Sequence, residues 1–290
     1  MEKAIKRSTG IKQELKIRTL RVFSRHPSHR PLRNRVKLPF LACLRLGSLT
    51  SGTLPYKVEI NSPEAIKNSS SKLRMKTCFT EKDVKTADWF TTLNGAEFKN
   101  SDNHTFTFLK DLPYPVVTKH LFGSRGEGNT LLKNEGELKV WLKGKTLSNY
   151  IFEKFCNFNK EYRLHIDSEG CFYTCRKMLK EGTPDDERWH RHDSNSVWIL
   201  ENNPQFEKPS NWDEVVKHSI MALNAVGLDV GAVDLKIQSE TDRDGNKRKS
   251  PDFIVIEINS APSFGEQTLL KYIERLPIIV KRKYDRIYNK

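Results

Sequence analysis

Three oxygen-bearing side chains, Asp234, Glu257 and Asn259, stand within two short apolar runs, AVDLKI (232–237) and DFIVIEIN (252–259). The charged segment between the runs carries Asp244–Gly245, a dipeptide that favours a tight hairpin. Side chains alternate in direction along a strand. Val233, Leu235 and Ile237 are therefore expected to face a core, with Asp234 and Lys236 on the other side. In the partner strand Ile254, Ile256 and Ile258 are expected on the apolar face and Glu257 and Asn259 opposite. Pairing the apolar faces brings Asp234, Glu257 and Asn259 together. Two carboxylates and an amide oxygen are hard donors that suit Mg²⁺, or Mn²⁺, sharing its remaining positions with phosphate oxygens. The plainer alternative is an amphipathic hairpin with ordinary surface acids.

A second group is PVVTKHLFGSRGEGNT (115–130). Small residues at Ser124, Gly126 and Gly128 let backbone N–H groups approach phosphate oxygens, and the Ser124 hydroxyl can add a bond. Lys119, on the preceding run, supplies a point charge. Neither the GxxxxGK[ST] pattern nor a GxGxxG that opens a helix is present. In the third group, KEYRLHI (160–166), alternation puts Glu161, Arg163 and His165 on one face. Glu161 and Arg163 are either a plain ion pair or a ribose acceptor beside a phosphate donor.

The elements that must hold these groups follow from periodicity and punctuation. LRVFSRHP (20–27) reads as a short strand and a turn. Asn61 or Ser62 caps a helix with Pro63 at its first position, and a second helix starts near Ser71. Strands are expected at 114–122, 149–155, 160–166 and 170–179, the last three as one meander, and 136–144 as a strand or short helix. A polar loop covers 180–196. Ser210 or Asn211 caps a helix over 211–227 that Gly227 stops. A final helix covers 266–288, its apolar stripe packed on a core. The pattern is α+β, dominated by antiparallel strands.

Taken in order, the lysine-bearing helix, the PVVxK strand, the glycine loop, the xIxEKF hinge, KEYRLH, GAVDLKI and VIEINSAPS resemble the ATP-grasp superfamily over about 60–270. The resemblance is closest to its carboxylate–amine ligase branch, which includes peptide and protein glutamate ligases, glutathione synthetase and D-alanine–D-alanine ligase. It implies an α+β fold in which two subdomains with antiparallel sheets clasp ATP. Residues 1–59 would form a short basic segment or a reduced preceding domain, and 60–290 the ATP-grasp domain. Within the latter, about 110–155 would clasp the nucleotide and about 156–290 would carry the metal set.

The same resemblance implies roles. Lys72 and Lys119 would hold the α- and β-phosphates. Ser124, Gly126 and Gly128 would cover the triphosphate. Glu153, Lys154 and Phe155 would line the adenine pocket, and Glu161 would bind the ribose. Asp234, Glu257 and Asn259 would hold Mg²⁺. Arg163 would face the γ-phosphate or an acyl-phosphate, and Arg176 and Arg191 would stabilise an oxyanion. The implied activity joins a carboxylate to an amine with release of ADP and phosphate. A kinase acting on a hydroxyl, or a non-catalytic module binding nucleotide or nucleic acid, are the alternatives. Ser263 and Thr268 resemble the branch's substrate-contacting turn, while the loop 180–196 matches its acceptor-binding segment only loosely.

Composition sets the bounds. The 290 residues are 37% hydrophobic and 30% charged, enough to bury a core. No run of about 18 apolar residues is present to span a membrane, and the charged opening residues do not read as a secretory signal. Five scattered cysteines suggest a reducing, cytoplasmic setting rather than a disulfide framework. Cys171 and Cys175, expected on one strand face, make a poor zinc motif with His190 and His192. Trp189 and Trp198 read as anchors of the polar loop. The net charge is +14. Residues 1–60 hold 14 Lys/Arg against three Glu and residues 271–290 hold seven against two acids, so the body between is close to neutral. With Phe23 the one aromatic in the basic stretch 16–37, base stacking is poorly served and nucleic acid is not the expected partner. An acidic peptide or protein acceptor suits the basic ends better.

Overall fold

The computed structural model describes residues 19–52, 54–93, 97–100, 105–106, 112–123, 126, 128–242 and 244–289. Ser124 and the first eighteen residues lie outside them. The chain opens with β1 (Leu20–Phe23), α1 (Leu32–Arg35), β2 (Ala42–Arg45) and β3 (Val58–Ile60), whose strands form a parallel three-stranded sheet. Two capped helices follow. Ser62 Oγ accepts the Ala65 N–H at 3.1 Å to start α2 (Pro63–Ser70), and Ser71 Oγ accepts the Arg74 N–H to start α3 (Lys72–Glu81).

A six-stranded antiparallel sheet comes next, built from β4 (Trp89–Leu93), β5 (Glu97–Asn100), β6 (Thr105–Phe106), β7 (Val116–His120), β8 (Thr130–Leu132) and β9 (Tyr150–Lys154). Between β8 and β9 the chain forms α4 (Glu135–Trp141), so 136–144 is largely helical; Asn134 Oδ1 caps it by accepting the Glu137 N–H at 3.0 Å. The five-stranded antiparallel sheet has the order β12–β11–β10–β13–β14, from β10 (Lys160–Asp167), β11 (Gly170–Leu179), β12 (Ser196–Leu200), β13 (Val230–Ile237) and β14 (Phe253–Asn259). Helix α5 (Trp212–Val226) covers one face, and α6 (Glu266–Tyr288) closes the chain.

The expected meander over 149–179 is split. β9 pairs with β4 and β7, whereas β10 pairs with β11 and β13. Each sheet has its own apolar core. Phe152 packs with Phe90, Val116 and Leu138; Tyr162, Leu164 and Ile166 pack with Val233, Leu235 and Val215 under α5. Residues 155–159 carry the chain from one sheet to the other. The start of α5 also departs from expectation. The Asn211 side chain makes no cap; its Nδ2 donates to the Pro251 carbonyl at 2.6 Å, and Ser210 Oγ donates to Glu240 at 3.1 Å. Asp213 and Glu214 in the first turn complement the helix dipole instead. Gly227, at φ 79°, ends the helix as expected.

Two β-bulges redirect side chains. In the β13–β14 ladder Asp234 faces Glu257 and Leu235 faces Val255, which leaves Ile256 as the extra residue. Phe253, Val255 and Ile258 therefore enter the core, while Ile254 and Ile256 turn to the other side. Of the three isoleucines expected on the core face, Ile258 alone is there. In β10–β11, His165 faces Tyr173 and Ile166 faces Cys171, leaving Phe172 extra. Cys171 packs on the core under α5 and Cys175 lies opposite Arg163, so the two do not share a face. Among the described residues no group of three His, Cys, Asp or Glu side chains gathers to hold a metal, and no helix is long and apolar enough to cross a membrane.

The parallel sheet is covered by α6. Tyr272, Leu276, Ile279 and Val280 pack with Leu20, Leu44 and Ile60. Leu269 and Ile273 of the expected stripe are partly buried at the edge of this cluster.

Candidate functional site

A cleft runs between the six-stranded and five-stranded sheets, bounded by the start of α3 and by the loop 180–195. On the six-stranded side, Val117 is the register partner of Glu153, and Lys119 stands diagonally across on the same face. Lys119 Nζ donates to Glu153 Oε2 at 2.8 Å. Lys76, one helical turn beyond Lys72, lies 3.4 Å from the same oxygen and is fully buried. Burial alone would push the Glu153 carboxyl up, but Lys119 and Lys76 outweigh it and hold it below the usual range. Burial pulls Lys76 down to about 8, against the attraction of Glu153. Glu153 is thus the counterion of two lysines. Lys154 turns outward to Asp88 at 3.6 Å. Its N–H donates to the Asp88 carbonyl at 2.8 Å, and that of Phe155 to the Pro115 carbonyl at 2.9 Å. Both residues line the cleft, with these two N–H groups already engaged.

On the five-stranded side, alternation brings Glu161 and Arg163 of β10, Lys177 of β11, and Asp234 and Lys236 of β13 to one face. Arg163 Nε and Nη2 each donate at 2.7 Å to the two oxygens of Asp234, and the guanidinium centre lies 4.8 Å from the Trp198 ring centroid. Burial would lower Arg163, but Asp234 raises it further. Asn259 Nδ2 donates to Asp234 Oδ2 at 3.0 Å and to Glu257 Oε1 at 3.2 Å. Asp234, Glu257 and Asn259 do converge, on the face expected. Arg163 faces Asp234 rather than open space.

This donor set fits Mg²⁺ or Mn²⁺ by its chemistry. Two carboxylates and one amide are too few for an all-protein cage, and they suit a cation that completes its shell with phosphate oxygens and water. Binding would require the Asn259 amide to turn its oxygen inward and Arg163 to yield an oxygen of Asp234.

Three further lysines carry a different signal. Lys72 Nζ donates to the Gly123 carbonyl at 2.5 Å, Lys177 Nζ to that of Arg191 at 2.8 Å, and Lys236 Nζ to that of Trp189 at 2.9 Å. Among the described residues none of the three forms a salt bridge to a carboxylate. Burial pulls Lys72 down, and takes Lys236 to about 8 against the pull of Glu161. Partly buried ammonium groups without a counterion make the cleft a place for a polyanion. Lys236 was visible in the strand alternation beside Asp234, and Lys76 as the residue four beyond Lys72. Lys177 emerges only from the register that sets it opposite Glu161.

The loop supplies Trp189, His190 and Arg191 to the cleft wall, so Trp189 does more than anchor the loop. Burial and the neighbouring Lys236 lower His190 to about 4, leaving it neutral near pH 7. His190 presses on Gly126: a Cβ there would lie 2.2 Å from its Nε2, and Gly126 has φ 75°. Gly128, also left-handed, has open space beside it. Arg191 Nη1 lies 3.8 Å from Glu161, whose carboxyl is held up by burial against the pull of Lys236, Lys177 and Arg191. Arg176 is not brought to the cleft. It is the register partner of Tyr162, on the opposite face of the sheet, and its guanidinium approaches Glu207 at 3.6 Å.

A second cavity continues from the first past Lys72, Arg163 and Glu257, reaching Asn259, Ser263 and His26 of the N-terminal turn. That turn is tied to the 259–264 segment. His29, fully buried, bonds the Pro262 carbonyl through Nε2 at 2.8 Å, and Ser28 Oγ accepts the Phe264 N–H at 3.1 Å. Thr268 is buried within α6.

No protein-family model and no curated protein sequence matches the chain. Among solved structures it is similar to D-alanine–D-alanine ligase from Bacillus anthracis, with a TM-score of 0.53 at 18% identity over 79% of this chain and 72% of that one. The ATP-complexed form of that enzyme gives a TM-score of 0.54 at 16% identity, over 85% and 79%. Carboxyaminoimidazole ribonucleotide synthase from Aspergillus clavatus, complexed with ATP, gives 0.52 at 14% identity, over 76% of this chain and 53% of that one. The likeness establishes a shared fold, the one that the order of motifs implies.

Proposed function

From the ATP-grasp fold of this chain, we propose that it is an ATP-dependent carboxylate–amine ligase. One observation carries the reading: a single cleft holds lysines that, among the described residues, have no carboxylate partner, and the converging set Asp234, Glu257 and Asn259 stands where it opens into the second cavity. Adenine would rest against Val117, Phe155, Ile254 and Ile256, with Glu161 at the ribose. Lys72 and Lys119 would meet the α- and β-phosphates beneath the glycine segment. Mg²⁺ on the acidic set, when bound, supplies positive charge to the terminal phosphates. An oxygen of the substrate carboxylate attacks the γ-phosphorus, the bond to the β–γ bridging oxygen breaks, and ADP leaves. Arg163 and Lys177 offset charge on the transferred phosphoryl group. The amine then attacks the carbonyl carbon of the acyl-phosphate, and phosphate leaves with the former P–O–C oxygen. The second cavity, open to His26 and Ser263, is the place for the carboxylate substrate, and an acidic peptide acceptor suits the basic chain ends.

Titration calorimetry with a non-hydrolysable ATP analogue tests the nucleotide site, with Mg²⁺ and with chelator. Micromolar binding that needs Mg²⁺ and is lost in D234A/E257A is expected. A screen of amino acids and acidic peptides for ADP release tests the reaction. Full substrate-dependent turnover by D234A/E257A would falsify the metal assignment.

A further inference from the structure

Beyond the loop that walls the cleft lies another hollow, between residues 188–191 of that loop, the 155–159 crossing and strand β11. We infer that it is an oxyanion site, in which Arg176, Arg188 and Arg191 take a carboxylate or phosphate group of a small organic ligand.

The arginines of this molecule fall into two groups. Where a buried or half-buried arginine has a structural partner, the contact is short: 2.7 Å from Arg163 to Asp234, 2.6 Å from Arg275 to Asp167 and 2.7 Å from Arg45 to Glu59. The three arginines here have only long contacts to carboxylates. Arg176 lies 3.6 Å from Glu207, Arg191 lies 3.8 Å from Glu161, and Arg188 lies 3.8 Å from Asp185. Glu207 and Asp185 are themselves exposed, where solvent weakens the attraction. Arg191 is only 8% exposed; its Nη2 donates to the Asn159 carbonyl, but among the described residues its Nε and that of Arg176 are buried without a hydrogen-bond partner. Burial, and the repulsion of Arg176 and Arg188, pull Arg191 below its ordinary value. The Arg176 and Arg191 guanidinium groups, each with a buried donor unused, are costly to hold together unless an anion completes them, with the exposed Arg188 at the rim; guanidinium groups match carboxylate and phosphate geometry.

The hollow has a volume of about 390 Å³, more than one oxyanion fills, and Phe155, Phe158 and Met178 line it with apolar surface. The ligand is therefore a small acid or phosphate ester with a carbon body, not a bare ion. Bound there, it would bridge β11 to the loop and hold Trp189 and His190 in the cleft wall. The inference does not depend on the ligase reading, because Arg176 and Arg188 line this hollow and not the cleft, while Arg191 and Lys177 border both.

The test is calorimetric titration of the full chain with inorganic phosphate and, separately, with L-glutamate. Wild type is compared with R176Q, R188Q and K119A, each checked for folding by thermal melting. Saturable binding is expected that R176Q weakens about ten-fold and the surface variant R188Q about three-fold, and that K119A leaves unchanged. The tighter probe assigns the class, phosphate or carboxylate. Binding that falls in K119A and survives both arginine variants belongs to the cleft and overturns the inference. Absence of saturable binding by either probe overturns it as well. Binding of the ATP analogue is read in its own titration, so failure of the nucleotide site is distinguishable.

Discussion

Glu153 shows how a single buried carboxylate can organise a lysine-lined surface. It fixes Lys119 and shares Lys76, while its Oε1 remains buried and unbonded. Removing its charge leaves two ammonium groups in a dry setting. E153Q should therefore destabilise the protein by about 3–5 kcal/mol in urea unfolding, and K76M/E153Q by less than E153Q alone. Equal losses in the two would show that Lys76 is not held by this charge. Lys236 supplies a pH signature. Burial holds it near 8, so it is charged below that value and neutral above it. Nucleotide affinity should weaken as pH rises through and beyond 8, with the midpoint displaced upward by the bound anion. K236R, which stays charged, should flatten that arm in the same titrations.

At the scale of elements, the bulge in β14 separates two neighbouring isoleucines. Ile258 is buried in the core and Ile256 lines the cleft. I258A should cost about 2–4 kcal/mol of stability, whereas I256A should cost less than about 1 kcal/mol and instead weaken nucleotide binding. Comparable stability losses in the two would mean that the ladder keeps strict alternation. Gly126 against His190 makes a second pair. G126A should lower nucleotide affinity about ten-fold, and H190A in the same chain should restore part of it. Alternation alone was enough to place Asp234, Glu257 and Asn259 together, because all three lie on the C-terminal side of the bulge or directly opposite it. It could not place Ile254 or separate Cys171 from Cys175, since each bulge depends on the partner strand. The split between β9 and β10 was hidden for a related reason: both strands carry the same local pattern, and only two separate cores assign them to different sheets. The capped helices at Ser62 and Ser71 were legible because their signals are local.

Across the whole molecule, the N-terminal parallel sheet and α6 brace the acidic end of the cleft. Asp167, fully buried at the β10–β11 turn, is clasped by Arg275 at 2.6 Å and approached by Arg282 at 3.4 Å, which fastens α6 to the five-stranded sheet. D167N should lower stability by about 3 kcal/mol without altering nucleotide affinity, compared by urea unfolding and by calorimetry. An equal loss in both would mean that α6 positions the site rather than only supporting it. The motifs between 60 and 270 disclosed the fold, but not how the residues from Leu20 to Ile60 pack, because a short parallel sheet depends on a helix more than 200 residues away.

The 155–159 crossing between the two sheets starts where β9 ends, beside Asp88, whose carbonyl accepts the Lys154 N–H. Each sheet keeps its own core, so a turn of one against the other at this crossing would leave both cores intact.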